Sequence, residues 1–122
     1  MVIRISTDKI QLKRAYEKPT PEDGTRILVD RLWPRGLSKK KAGIDQWLKE
    51  IAPSTELRKW FAHDPGRWEK FRQRYTAELQ DHTDELDQIR RLAGTNRITL
   101  VYAARDELHN EAVVLRDILT RK

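Results

Sequence analysis

The sequence predicts an α/β fold: a single domain over residues 1–122, with a small, mostly parallel, Rossmann-like sheet flanked by helices. Two runs carry that expectation. Ile98-Thr99-Leu100-Val101-Tyr102-Ala103-Ala104 is apolar, β-rich and not amphipathic, as suits a central strand covered on both faces. Arg26-Ile27-Leu28-Val29-Asp30 follows the turn signal Asp23-Gly24 and reads as an earlier buried strand. Helical periodicity fills the stretch between them, and a closing helix follows the later run. That alternation is the α/β pattern, with the two strands expected side by side.

Taken in order, Ile3-Ile5 and Ile10-Leu12 alternate with polar residues and read as strands. Residues 38–51 fit two templates: Ile44, Trp47, Leu48 and Ile51 match a helix, and Trp47, Lys49 and Ile51 match a strand. Ser54 opens a helix with Leu57, Trp60 and Phe61 inward. Asp64-Pro65 is a cap followed by a proline at the first helical position. Trp68, Phe71, Tyr75 and Leu79 then fall on one face. Residues 83–93 form a further helix, with Leu86, Ile89 and Leu92 inward and Gly94 as its stop. Leu108, Ala112, Leu115 and Leu119 make the closing face, and Asp106 is the expected cap of that helix.

Composition narrows the chemistry. The 122 residues include no Cys, which removes disulfides, thiolate metal sites and cysteine nucleophiles. The longest run without a charge, Ile98 to Ala104, is far below the ~20 apolar residues that span a bilayer, and no export signal marks the N-terminus. A cytoplasmic protein without membrane association is expected. The net charge is +6, and all of the excess lies in residues 1–61, with 14 Lys and Arg against 8 Asp and Glu. Lys39-Lys40-Lys41 supplies half of it, so the excess is read either as a patch for an anionic partner or as ordinary solvation. His63, His82 and His109 have no ligand spacing, so no metal site is expected. The five Gly form neither a dinucleotide fingerprint nor a P-loop, and no cofactor is expected.

In an α/β domain ligands bind beyond the carboxyl ends of the strands. The first buried strand ends in Asp30-Arg31-Leu32-Trp33-Pro34-Arg35-Gly36, which concentrates a carboxylate, two guanidiniums and an indole. Arg captures phosphate or carboxylate bidentately. The competing reading is an Asp30–Arg31 salt bridge above a Trp33-Pro34 plug. The last strand ends in Tyr102 and runs on through Arg105, Asp106, His109 and Asn110; Arg105 at a helix start makes an anion-friendly corner. Asp106 and His109 are spaced to touch, either as a proton-moving pair or as a plain surface pair. Ser54, Arg58 and His63 lie near helix ends, where they face a cleft or serve only as caps and surface residues.

Three motifs in order cover nearly the whole chain: Asp-Gly-x-Arg-x-Leu-Val-Asp-Arg-Leu-Trp-Pro-Arg-Gly at 23–36, Ala-Pro-Ser-x-x-Leu-Arg-x-Trp-Phe at 52–61, and Leu-Val-Tyr-Ala-Ala-Arg-Asp at 100–106 with Asn110. Together they resemble the YeaO-like proteins of the domain of unknown function family 488. The resemblance implies a cytoplasmic bacterial or archaeal protein of α/β type and no assigned reaction. Other branches of that family carry a Cys-x-His-Arg-like element after the last strand. Leu108-His109-Asn110-Glu111-Ala112 stands in that region here, so cysteine-dependent chemistry does not carry over.

The expected function is a strand-end cleft that binds a phosphate-bearing ligand, a nucleotide or nucleic-acid fragment, with hydrolytic or transfer activity as an extension; the expected partner is a small anionic ligand or nucleotide. Arg31, Arg35 and Arg105 would hold the anion, and Asp30 or Asp106 with His109 would move protons. Trp33, Ser54, Arg58, His63, Tyr102 and Asn110 complete the candidate ligand-binding set. Two alternatives stand beside it. One is a nucleic-acid-binding or regulatory module without chemistry; no base-reading motif is visible, so nucleic-acid binding is expected to be weak at most. The other is a partner-binding module that uses an exposed Trp33 or Trp47. Oligomeric state is left open.

Overall fold

The computed structural model describes residues 5–121. Its sheet is built from β1 (Ile10–Arg14), β2 (Thr25–Leu28), β3 (Gln46–Trp47) and β4 (Ile98–Tyr102), all parallel, in the order β1-β4-β2-β3. β4 is central, and all five of its residues are buried, which is why its sequence shows no polar alternation. The helices are α1 (Lys39–Ala42), α2 (Thr55–Phe61), α3 (Trp68–Leu79), α4 (Thr83–Thr95) and α5 (Glu111–Thr120).

The pleat assigns the two faces of the sheet. Ile10, Ile27, Ile98 and Leu100 face one way and join a core with Leu57 of α2, Phe71, Tyr75 and Leu79 of α3, Leu86 and Ile89 of α4, and Leu115 and Leu119 of α5. Each fully buried side chain of this kind stabilises the fold by about 1.5–3 kcal/mol. The buried Tyr75 hydroxyl donates to Ile51 O at 2.7 Å, so the largest core side chain keeps its polar atom satisfied. The other face is thinner: Leu28 and Val101 lie under Trp33, Leu37 and Ile44 from the segment that follows β2.

Gly24 explains the entry into β2. Its φ is +63°, and a Cβ there would sit 2.0 Å from Arg97 O, the atom that accepts the Thr25 N–H. Only glycine meets both demands.

Several local expectations change. Residues 38–51 are neither one helix nor one strand: Ser38 caps the short α1, Gly43 ends it at φ +58°, and β3 and a 3-10 turn at Lys49–Ile51 follow. Asp64 caps a 3-10 turn at Pro65–Arg67, and α3 starts only at Trp68. Gly94 does not stop α4, which runs to Thr95; Gly94 is exposed, and the chain leaves the helix where the Thr95 hydroxyl and Asn96 N–H take Leu92 O. α5 is capped by Asn110, whose side chain accepts from Val113 N, so Asp106 lies outside the helix and Leu108 is 73% exposed. Ile5 is buried but unpaired in the sheet, donating to Leu119 O; Ile3 lies outside the described residues. Among the described residues no helix is long and apolar enough to cross a membrane.

Candidate functional site

Because every strand is parallel, all four end on the same edge, and the segments after β1, β2 and β4 meet there. β2 and β4 remain bonded through Val29 N to Val101 O and then part. At the parting the Asp30 carboxylate takes over from the backbone, with Oδ2 accepting Ala103 N at 2.9 Å. Strand pairing therefore stops at Tyr102, and Ala103 and Ala104 turn away as a loop. The opening between the two diverging segments is a cleft of about 750 Å³, within the range of small-ligand sites.

Asp30, Arg31, Trp33 and Arg35 line it from the β2 side, and Arg105, Asp106, His109 and Asn110 from the β4 side. Arg58 and His63 close it from α2 and the turn beyond. Ser54 and Tyr102 are not in the wall. The Ser54 hydroxyl donates to Glu78 Oε2 at 2.6 Å and accepts Leu57 N, making it a cap that ties α2 to α3. Tyr102 is 3% exposed and packs in the core; burial, then the charge of Glu107, pushes its phenol above the ordinary range.

The arginines divide into two kinds. Arg31 does not pair with Asp30: its Nε and Nη2 donate to Pro53 O and Ala52 O at 3.4 and 3.2 Å, bracing the start of α2. Arg35, Arg58 and Arg105 are exposed, and among the described residues none forms a salt bridge or donates a side-chain hydrogen bond. Arg35 is held through its backbone, where its carbonyl accepts the Tyr16 hydroxyl at 2.9 Å. Trp33 is half-buried, with its Nε1 donating to Leu37 O and its ring edge-on to Trp47. Trp47 is 37% exposed but engaged, because its Nε1 donates to Asp30 O and Lys49 lies over its ring.

Asp106 organises the second wall. One of its oxygens accepts from Leu108 N and His109 N, and the other meets His109 Nδ1 at 2.8 Å. The Leu108 N–H, then the His109 ring, hold its carboxyl below the ordinary range. With Nδ1 so engaged and the ring edge-on to Trp68 at 5.2 Å, Nε2 is the nitrogen left for a ligand. Asn110 closes the turn by donating to Asp106 O. On the α2 side, Ala62 and His63 both have positive φ, 46° and 56°, a sparsely populated conformation that turns the chain sharply beside the cleft.

Sequence reasoning missed Glu111, the first residue of α5, which lines the cleft beside Asp30. Burial, then the Asp30 charge and a hydrogen bond with Asp30, push the Glu111 carboxyl well above the ordinary carboxylate range. An acid in a first helical turn is ordinary dipole complementation, and nothing local marked this one as part of a pair. The aromatic wall was missed as well: Phe61 and Phe71, stacked at 4.3 Å, serve both the core and the cleft. Among the described residues no group of three or more His, Asp or Glu is arranged to hold a metal ion.

Three relatives share this sequence over most of their length. YeaO of Escherichia coli, an uncharacterised protein, is 46% identical over 90% of this chain and 96% of its own. The uncharacterised proteins Mb3100c of Mycobacterium bovis and Rv3073c of Mycobacterium tuberculosis are each 40% identical over 91% of this chain and 93% of theirs. No solved structure matches at a significant level. A family model described as the inactive DUF488-N3 subclade matches residues 9–122, and the chain belongs to that family.

Proposed function

We propose that this protein is a cytoplasmic binding protein for a phosphate-bearing ligand, a nucleotide or short nucleic-acid fragment, held in the cleft at the carboxyl edge of the sheet. One observation carries the reading: Arg35, Arg58 and Arg105 surround a cleft with aromatic walls, and no anion of the described protein neutralises them. A guanidinium without a partner keeps its fork of donors for phosphate oxygens. The half-buried Trp33 and the exposed Leu32 supply apolar surface for the rest of the ligand.

A second reading, hydrolysis or group transfer, is favoured by the Asp106–His109 contact, in which the carboxylate orients the imidazole and Nε2 would give or take a proton. The binding reading ranks above it because the family model is described as inactive and Asp30, the inner carboxylate, is already tied to Ala103 N and Glu111.

Calorimetric titration with inorganic phosphate, ribose 5-phosphate and AMP at low and high salt tests the reading. Affinity should increase along that series and weaken with salt. Absence of binding by all three at millimolar concentration would overturn it. Release of phosphate from a nucleotide, lost in His109→Ala, would promote the catalytic reading.

A further inference from the structure

Resting on the phosphate-binding reading, we infer that the cleft selects a guanine nucleotide, its phosphate among the arginines of the mouth and its paired N–H edge on the Asp30 carboxylate. The cleft is bipolar. Arg35, Arg58 and Arg105 are its exposed arginines, whereas Asp30 and Glu111 are half-buried, and Phe61 and Phe71, which also line it, are 5% and 2% exposed. A ligand that was only an anion would satisfy the mouth and leave the inner carboxylate facing it unopposed.

Inside, no cation balances that carboxylate. Arg31, next in sequence, spends its guanidinium on the Ala52 and Pro53 carbonyls, and Asp30 has no salt bridge among the described residues. A carboxylate offers about four acceptor positions. Ala103 N occupies one at 2.9 Å, and the hydrogen bond with Glu111 occupies a second. Two are left for the ligand.

Two adjacent N–H donors fit that remainder. Guanine presents its ring N1–H and exocyclic amino group side by side. Adenine sets a donor next to a ring-nitrogen lone pair, which would meet a charged oxygen, and hypoxanthine keeps the ring N–H without the amino group. Leaving a charged acceptor unpaired costs affinity on the order of tenfold to a hundredfold.

Calorimetry at neutral pH with GMP, IMP, AMP and ribose 5-phosphate tests the inference. The wild type should bind GMP at least tenfold more tightly than IMP or AMP. Asp30→Asn, which keeps a carbonyl for Ala103 N but replaces the other acceptor with an amide donor, should weaken GMP at least tenfold and tighten AMP, because the amide N–H now meets the adenine ring-nitrogen lone pair that the carboxylate repelled. Equal affinity of the wild type for GMP, IMP and AMP would overturn the guanine assignment and leave the phosphate reading intact. Binding of none would remove both. If Asp30→Asn fails to fold, judged by circular dichroism, the wild-type ratio of GMP to IMP decides alone.

Discussion

On the thin face of the sheet, Lys13, Asp23 and Arg26 gather as many charges as the cleft mouth does, with the opposite outcome. Asp23 is fully buried and accepts from Lys13 at 3.0 Å, from Arg26 at 2.8 Å, and from both the N–H and the hydroxyl of Thr20. Arg26, 3% exposed, completes its donors on Ala42 O. Every charge there has a partner, and the cluster fastens β1, β2 and α1 together. At the cleft the arginines are solvated and unmatched. A buried charge without a partner costs several kcal/mol, whereas an exposed one costs little, so only the exposed set can be left open for a ligand.

That contrast breaks most visibly at Asp23. Asp23→Ala strands Arg26 and Lys13 and is expected to cost about 3–5 kcal/mol, read by denaturant unfolding. A loss below about 1 kcal/mol would mean that the cluster does not fasten these elements. Acid gives the next largest effect. Burial pushes the Asp23 carboxyl up, but hydrogen bonds from Thr20, Lys13 and Arg26 outweigh it and bring its pKa to about 2, from 3.8. A depressed folded-state pKa contributes stability that is present above the unfolded value and lost as pH falls through the folded one. About 2 kcal/mol should therefore disappear between pH 4 and pH 2. The same titration of Asp23→Ala should lack that loss.

The cleft should respond the other way round. Arg105→Ala is expected to weaken nucleotide binding about tenfold while changing stability by less than ~0.5 kcal/mol. A large stability loss with binding intact would place Arg105 with the structural cluster instead. The smallest effect belongs to a residue first read as ligand-binding. Ser54→Ala removes a cap and one of two bonds to Glu78, so about 1 kcal/mol of stability should go, with nucleotide affinity unchanged. Weaker nucleotide binding would return Ser54 to the site.

Glu111 sharpens the comparison from inside the cleft. Its folded-state pKa is raised, so its contribution is complete at low pH and is lost as pH rises through the folded value. Glu111→Gln should therefore gain on the wild type in thermal stability as pH rises above the ordinary value of 4.5. Parallel melting curves would contradict the proton-sharing pair.

Much of this architecture was legible in local pattern. The unbroken apolar run of β4 marked a strand buried on both faces, and Phe71, Tyr75 and Leu79 recur at helical spacing because α3 packs one side against the sheet. The meeting of the charged run after β2 with the loop after β4 was legible too, since parallel strands deliver both to one edge. What failed were inferences that needed to know a partner. Asp106 and Asn110 are equally good caps by composition. Asp106 is taken by the Leu108 and His109 N–H groups and the His109 ring, which leaves the start of α5 to Asn110. Arg31 and Asp30 are neighbours that do not pair, because the approach of Ala52 and Pro53 gives the guanidinium two carbonyls. The sequence by itself determined which segments form strands and helices and which edge collects the charge, since those follow from periodicity and parallel topology. Only the tertiary structure decided that Asp30 meets Glu111 and that three arginines find no partner among the described residues. Hydrogen-bond partners across diverging strands are set by packing in three dimensions and leave no periodic trace along the chain.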